Sequence, residues 1–212
     1  MKFGINQLPK ILVAAIFALH LNAYSQDEQS VFEEVIVTAE KRDESLQDVS
    51  QAVTAITDTE IEAKNITSFV DLTAVVPGVT VAKNEGYKTV ISIRGVGNET
   101  NQNAIAAPSV AYHMDGIFIA SPFSLQTDFL DVERIEVLRG PQGTLFGQNS
   151  TGGAINVISK KPSTDSLSSK VQVTAGDYGL MKVSSSTNFP ISDTLATRFS
   201  FLDMIFWHTY CM

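Results

Sequence analysis

The chain has 212 residues, enough for one or two domains with a core of ordinary size. Charged residues make up 18% and hydrophobic residues 44%, which excludes both a disordered acidic tail and a helical multi-span membrane protein. With 15 basic residues against 23 acidic ones and no lysine-arginine stripe, phosphate-led nucleic-acid binding is excluded, and the single cysteine, Cys211, permits neither an intrachain disulfide nor a thiolate zinc cluster.

Lys2 and Lys10 precede the apolar run Ile11 to Leu21, broken only by His20, and Ala23-Tyr24-Ser25 follows as a small-x-small cleavage site. Basic flank, apolar core and small-residue exit in that order read as an export signal over residues 1–25. The run is too short to cross a bilayer as a helix, and no later run of about 18 apolar residues exists, so any membrane crossing must use strands.

Past residue 25, Val35-Ile36-Val37-Thr38-Ala39 is a short β-branched run between acidic and mixed-charge flanks, and reads as an extended segment with no partner nearby. Val49 to Thr57 is a strand. Thr57 and Glu60 have the spacing of a capping box that opens a helix to about Asn65. Ser68 opens a second helix, with Phe69, Leu72, Val75 and Val76 at helical spacing and Pro77-Gly78 as its stop. Strands follow at Val79 to Ala82 and Thr89 to Arg94, and residues 98–108 read as an exposed polar loop. Asp115-Gly116 between Val110–Met114 and Ile117–Ala120 is a hairpin signal.

Val132 to Arg139 is a strand with two faces, Arg134 and Glu136 sharing one with Val132 and Leu138. A glycine-dense stretch, residues 140–153, precedes a strand at Ala154 to Ser159. After the linker at 160–166 the pattern changes to a meander. Lys170 to Ala175 and Met181 to Phe189 alternate polar and apolar, with turns at Gly176–Gly179 and Pro190–Asp193. Such alternation fits a transmembrane barrel and any antiparallel sheet with one wet face equally well. Beyond Phe201 the alternation fades, and the only Trp and the only Cys appear there.

The chemistry-bearing motifs are weak. The glycines lack the Lys-Ser or Lys-Thr of a phosphate loop, and Gly95-x-Gly97 lacks the third glycine of a dinucleotide fingerprint. His113 and His208 are the only histidines beyond the leader, and His113 reads as a structural strand histidine. His113 and Asp115 have no third ligand at supporting spacing, and Arg134 with Glu136 reads as an ion pair rather than a catalytic couple. No enzyme, cofactor or metal site emerges.

Several blocks in order carry a resemblance: Glu34-Val35-Ile36-Val37-Thr38-Ala39, Val76-Pro77-Gly78-Val79, Ile91-Ser92-Ile93-Arg94-Gly95, Tyr112-His113-Met114-Asp115-Gly116, Val132 through Gly147, and Gly152-Gly153-Ala154-Ile155-Asn156. The first resembles a TonB box, and together the blocks resemble the plug domain of TonB-dependent outer-membrane receptors. The resemblance implies an α+β fold: a small mixed-sheet plug with short helices, followed by the first antiparallel strands of an incomplete transmembrane β-barrel. It implies a signal peptide at 1–25, a TonB box and periplasmic linker at 26–44, a plug at 45–165 and barrel strands at 166–212.

The resemblance further implies a location in the outer membrane, with the plug facing the periplasm, and uptake of a scarce small-molecule ligand such as a ferric siderophore. The partner protein would be TonB, which captures Glu34, Val35, Ile36, Val37, Thr38 and Ala39 by strand addition. Arg94, Arg134, Glu136 and Arg139 would face or brace the barrel wall, and loops carrying Tyr87, Asn98, Gln102, Asn103 and Phe123 would point to the ligand. The 47 residues after Asp165 make about three strands, whereas a plugged barrel of this kind takes about 22. The expectation is a truncation, frameshift or fragmentary gene model, with residues 170–201 poorly ordered or aggregation-prone for want of a sheet to join. The alternatives are a barrel-less soluble periplasmic plug that binds TonB, and an inactive remnant.

Overall fold

The computed structural model describes residues 35–38, 44–47, 49, 51–84, 88–97, 108–121 and 124–206. The leader at 1–25, Trp207 and Cys211 lie outside them. The chain orders as an α+β domain built on a mixed sheet, followed by an antiparallel meander.

The mixed sheet is centred on β9 (Val132–Arg139), which pairs antiparallel on one side with β3 (Val53–Thr57) and on the other with β10 (Gly153–Ser159). β10 runs parallel to β7 (Val110–Met114), which pairs with the two-residue β8 (Ile117–Phe118). The β7–β8 turn is Asp115-Gly116, with φ of +49° and +80°. Positive φ at both central residues is what a right-twisted two-residue hairpin needs, and Asp-Gly supplies it at little cost.

The expected helix at 58–65 is α1 (Asp58–Ala63), closed by the capping box at Thr57 and Glu60. The expected second helix is broken into a 3-10 turn at Phe69–Asp71 and α2 (Leu72–Val75), because Asp71 turns back to accept the Thr67 and Ser68 N–H groups at 2.8 Å each. Val76, preceding a proline, is extended, which ends the helix there. α3 (Gly143–Phe146) is one turn inside the glycine-dense stretch.

The core lies on one face of the mixed sheet, where Ile56, Ile135, Val137, Ile155 and Val157 pack against Phe69 and Leu72 and against β4 (Val79–Asn84) and β5 (Lys88–Ile93). β4 and β5 form a small separate sheet with β6 (Val96–Gly97). Phe69 sits edge-on to Tyr112 and Phe129, both at 4.7 Å, and burial followed by the nearby Asp115 charge pushes the Tyr112 hydroxyl up to about 12. A register shift between Ile158 and Ser159 leaves Glu133 as an extra residue in β9. The bulge turns Val132 onto the Ile135 side of the sheet, not the Glu136 side that strict alternation predicts.

The meander consists of β11 (Ser168–Ala175), β12 (Leu180–Ser192) and β13 (Leu195–Phe206), each antiparallel to the next. β12 runs through the expected turn at Pro190, and the hairpin closes at Asp193-Thr194. Proline has no N–H to give, and it sits where the register slips between Pro190 and Ser192. Residues 170–201, expected to lack a sheet to join, pair with one another: long mutual registers give these strands backbone partners without a closed sheet.

Candidate functional site

The second face of the mixed sheet is smaller, and it carries the candidate site. Leu138 on β9, Ala154 on β10, Ala111 on β7 and Phe146 on α3 form an apolar floor. Across that floor runs a polar file. The β-register sets Glu136 beside Asn156, and Asn156 beside His113, all three buried. His113 packs its ring against Phe118 at 5.5 Å and Phe146 at 5.1 Å.

The N-terminal β-branched segment lies on this floor. β1 (Ile36–Val37) pairs antiparallel with β2 (Glu44–Ser45), and Leu46 donates its N–H to the Val35 carbonyl at 2.9 Å. The segment expected to have no partner therefore has one nearby in sequence, in a stretch without strand-like composition. Alternation places Val37 inward at 0% exposure and Ile36 outward at 51%.

Thr38 ends the segment on Glu136. Its N–H donates to Oε1 at 2.7 Å, and its hydroxyl lies 3.1 Å from both carboxylate oxygens. Arg134 Nε donates to the same Oε1 at 2.9 Å, and Asn156 Nδ2 donates to Oε2 and to the Thr38 hydroxyl, both at 3.3 Å. The buried carboxylate is thus paired and hydrogen-bonded on both oxygens, which is what a buried charge requires.

The segment is held in near balance. Burying Val37 gains about 2 kcal/mol, and two bonds from Thr38 to a carboxylate add about 1.5–3 kcal/mol each. Ordering four residues costs about 1–2 kcal/mol apiece. Gain and cost agree to within a few kcal/mol, so the segment can be ordered on the floor and still be withdrawn.

A second feature joins the mixed-sheet domain to the meander. Lys182 donates to Asp128 at 2.7 Å, Arg198 grips Asp131 through Nε and through Nη2 at 2.6 Å, the Ser200 hydroxyl donates to Asp131, and Lys170 pairs with Glu62. Every acid in this seam is on the mixed-sheet domain and every base is on the meander. Lys160 in the linker adds a bond to Asp58 at 2.6 Å. Burial pushes the Asp131 carboxyl up, but the bonds from Arg198 and Ser200 outweigh it and hold the group below the usual carboxylate range. At Asp58 burial is likewise outweighed, by Lys160.

Most residues facing the seam from the meander are even-numbered and polar, among them Lys170, Gln172, Lys182, Ser184, Arg198 and Ser200, with Leu202 the apolar exception and Ser185 the odd-numbered one. The odd-numbered residues on the other face include Val171, Val173, Met181, Phe199 and Phe201, all exposed. Apolar-out and polar-in is the pattern of a membrane wall, and the reverse of a sheet with one wet face on a globular core.

Residues 45–154 match the family model described as the TonB-dependent Receptor Plug Domain. The chain belongs to this family. The mixed-sheet domain is therefore a plug, and the family is one of receptors rather than enzymes. The pesticin receptor of Yersinia pestis is 34% identical over 143 residues, covering 65% of this chain and 20% of that protein. The iron-regulated outer membrane virulence protein of Vibrio cholerae is 29% identical over 189 residues, covering 84% of this chain and 28% of the relative. Among solved structures, the ferric yersiniabactin uptake receptor FyuA of Yersinia pestis superposes with a TM-score of 0.65 at 27% identity, covering 72% of this chain and 24% of that one. The chain thus spans between a fifth and three tenths of the length of these proteins.

Of the residues expected against the wall, Arg94 is exposed after β5 at a φ of +54°, with its N–H donating to the Gly78 carbonyl at 2.7 Å. Arg139 donates to the Thr54 hydroxyl at 2.6 Å. Arg134 pairs with Glu133 and Glu136, and Glu136 is turned inward onto Thr38. Among the described residues, the side-chain partners of Arg134, Glu136 and Arg139 are within the plug, and the three strands of the meander are met by Glu62, Asp128 and Asp131. No spacing rule marks those three acids, since acids in loops, like Asp128 and Asp131, or at the end of a short helix, like Glu62, are ordinarily solvated. Glu34, Ala39, Tyr87, Asn98, Gln102, Asn103 and Phe123 lie outside the described residues. Among the described residues no cluster of three or more His, Cys, Asp or Glu could hold a metal ion.

Proposed function

We propose that this chain is the plug and opening wall strands of an outer-membrane receptor that takes up a scarce ligand such as a ferric siderophore, energised through TonB. The observation that carries the reading is the two-faced meander, whose charged side closes on plug acids while its Val, Met and Phe side faces outward. In water that outward face would be a contiguous apolar patch; in lipid it is the required surface. A barrel-less soluble plug has no use for it. The names of relatives add weight, since they include receptors for pesticin and for ferric yersiniabactin.

On this reading residues 1–25 direct export, 26–44 hold the linker and TonB box, 45–165 form the plug and 166–212 begin the barrel. Residues 34–39 are taken by TonB, whose partner strand would use their main-chain groups, with the alternate side chains giving choice. The loops bearing Tyr87, Asn98, Gln102, Asn103 and Phe123 face the ligand. The test is membrane fractionation combined with capture by the purified periplasmic domain of TonB. The expected result is a chain in the outer-membrane fraction that is retained by TonB and loses retention when residues 34–39 are deleted. A soluble chain, or one retained equally well without those residues, would overturn the reading.

A further inference from the structure

We propose that Glu136 is the retaining residue of residues 35–38: a carboxylate built into the plug to hold this chain's own N-terminal segment and so set how often it is available. The proposal rests on the reading that this segment is the one TonB takes.

A carboxylate at 0% exposure in the middle of a five-stranded sheet is a costly placement that packing alone does not call for, since its strand neighbours Leu138 and Ala154 show that apolar groups fill the same floor. Arg134 balances its charge and Asn156 occupies one lone pair, both from within the sheet. The remaining acceptor capacity points at one residue outside the sheet, Thr38, and takes both its N–H and its hydroxyl. Thr38 lies 98 residues away in sequence, so this contact is made only when the segment is seated.

The geometry also sets what must be given up. β2 occupies one edge of the segment, through Val35, Ile36 and Val37. Along an extended chain the N–H groups alternate between edges, and the N–H of Thr38 points away from β2 and into the Glu136 carboxylate. A partner strand added along that open edge needs the same N–H. Seating on Glu136 and capture by a partner strand are therefore mutually exclusive at Thr38. A partner's apparent affinity is then its intrinsic affinity multiplied by the fraction of unseated segments.

Hydrogen exchange of residues 35–38 in the full chain in outer-membrane preparations tests this without TonB. Glu136→Gln keeps the shape but weakens the acceptor, and is expected to speed exchange of these amides about tenfold, while Ile155 and Val157 on β10 stay protected. Thr38→Val removes only the hydroxyl bonds, from outside the sheet, and is expected to give a smaller rise, which serves if Glu136→Gln disturbs folding. Unchanged exchange in both variants overturns the proposal. The purified periplasmic domain of TonB is then titrated against the same preparations. Tighter binding alongside the faster exchange supports both the retention and the function proposed above. Faster exchange with unchanged TonB affinity supports retention and overturns the assignment of this segment to TonB.

Discussion

Asp131 offers a clean perturbation of the plug–wall seam, because it combines a buried charge with a backbone that limits which substitution can be used. Its φ is +53°, a conformation that Asn tolerates nearly as well as Asp and that Ala does not. Asp131→Asn therefore removes the charge while leaving the backbone alone. In the folded chain the carboxylate receives Arg198 through two nitrogens and the Ser200 hydroxyl, with side-chain exposures of 16% for Arg198 and 10% for Asp131. An exposed pair of this kind contributes under about 1 kcal/mol, and breaking a fully buried one costs about 3–5 kcal/mol. At this degree of burial the loss is about 2 kcal/mol, or roughly 30-fold in local opening. Hydrogen exchange of the β13 amides at 198–202 is the assay, with β10 amides as the control. The pH dependence supplies a second reading. Because the folded carboxyl titrates below its ordinary value, its contribution is complete above about pH 4 and is lost as pH falls through the folded pKa. The parent chain should lose β13 protection below that pH, and Asp131→Asn should lack this component at every pH. Equal protection in the two chains at neutral pH, or the same acid-induced loss in both, would refute the assignment of the seam to this ion pair.

Gly153 begins β10 at a φ of +146°, and a Cβ there would stand 2.3 Å from the Leu138 carbonyl oxygen, which the β9–β10 pairing holds in place. Gly153→Ala is expected to cost more than about 3 kcal/mol, seen as a fall in thermal midpoint with early loss of β9–β10 amide protection. Asp71→Asn weakens the acceptor for the Thr67 and Ser68 N–H groups and should cost about 1 kcal/mol in urea unfolding. Burial raises the Asp71 carboxyl, but these bonds outweigh it and hold the group low, so the difference between parent and variant should persist above about pH 4 and close as pH falls further. Val37→Ala deletes a fully buried side chain from the segment floor and should cost about 1–2 kcal/mol. The loss should be read locally, as proteolysis at residues 35–38 with no change in the β10 amides.

The elements most legible in the sequence were those whose signals are local. The capping box at Thr57 and Glu60, the Asp115-Gly116 hairpin and the alternation of residues 170–189 each state their geometry within a few residues, and each stands where expected. The helix that apolar spacing predicts at Phe69 to Val76 is broken in two, because spacing does not reveal that Asp71 will cap back onto Thr67 and Ser68. Val132 lies on the opposite face to the one strict alternation predicts, because alternation cannot foresee a bulge at Glu133.

The candidate site divides in the same way. Val35 to Thr38 stood out as an extended, β-branched run from composition alone. That Glu136 receives Thr38, that Asn156 lies beside it with His113 next along the file, and that Asp128 and Asp131 meet the meander are facts of tertiary structure. A carboxylate on a strand carries the same local pattern whether it turns toward a wall or a returning segment; only chain folding over about a hundred residues decides which partner arrives. Strand periods, caps and turns were thus determined by the sequence read locally, because steric and hydrogen-bond preferences act over a few residues. The holding of the N-terminal segment and the polarity of the seam were decided by the fold, because those contacts exist only after distant strands have come into register.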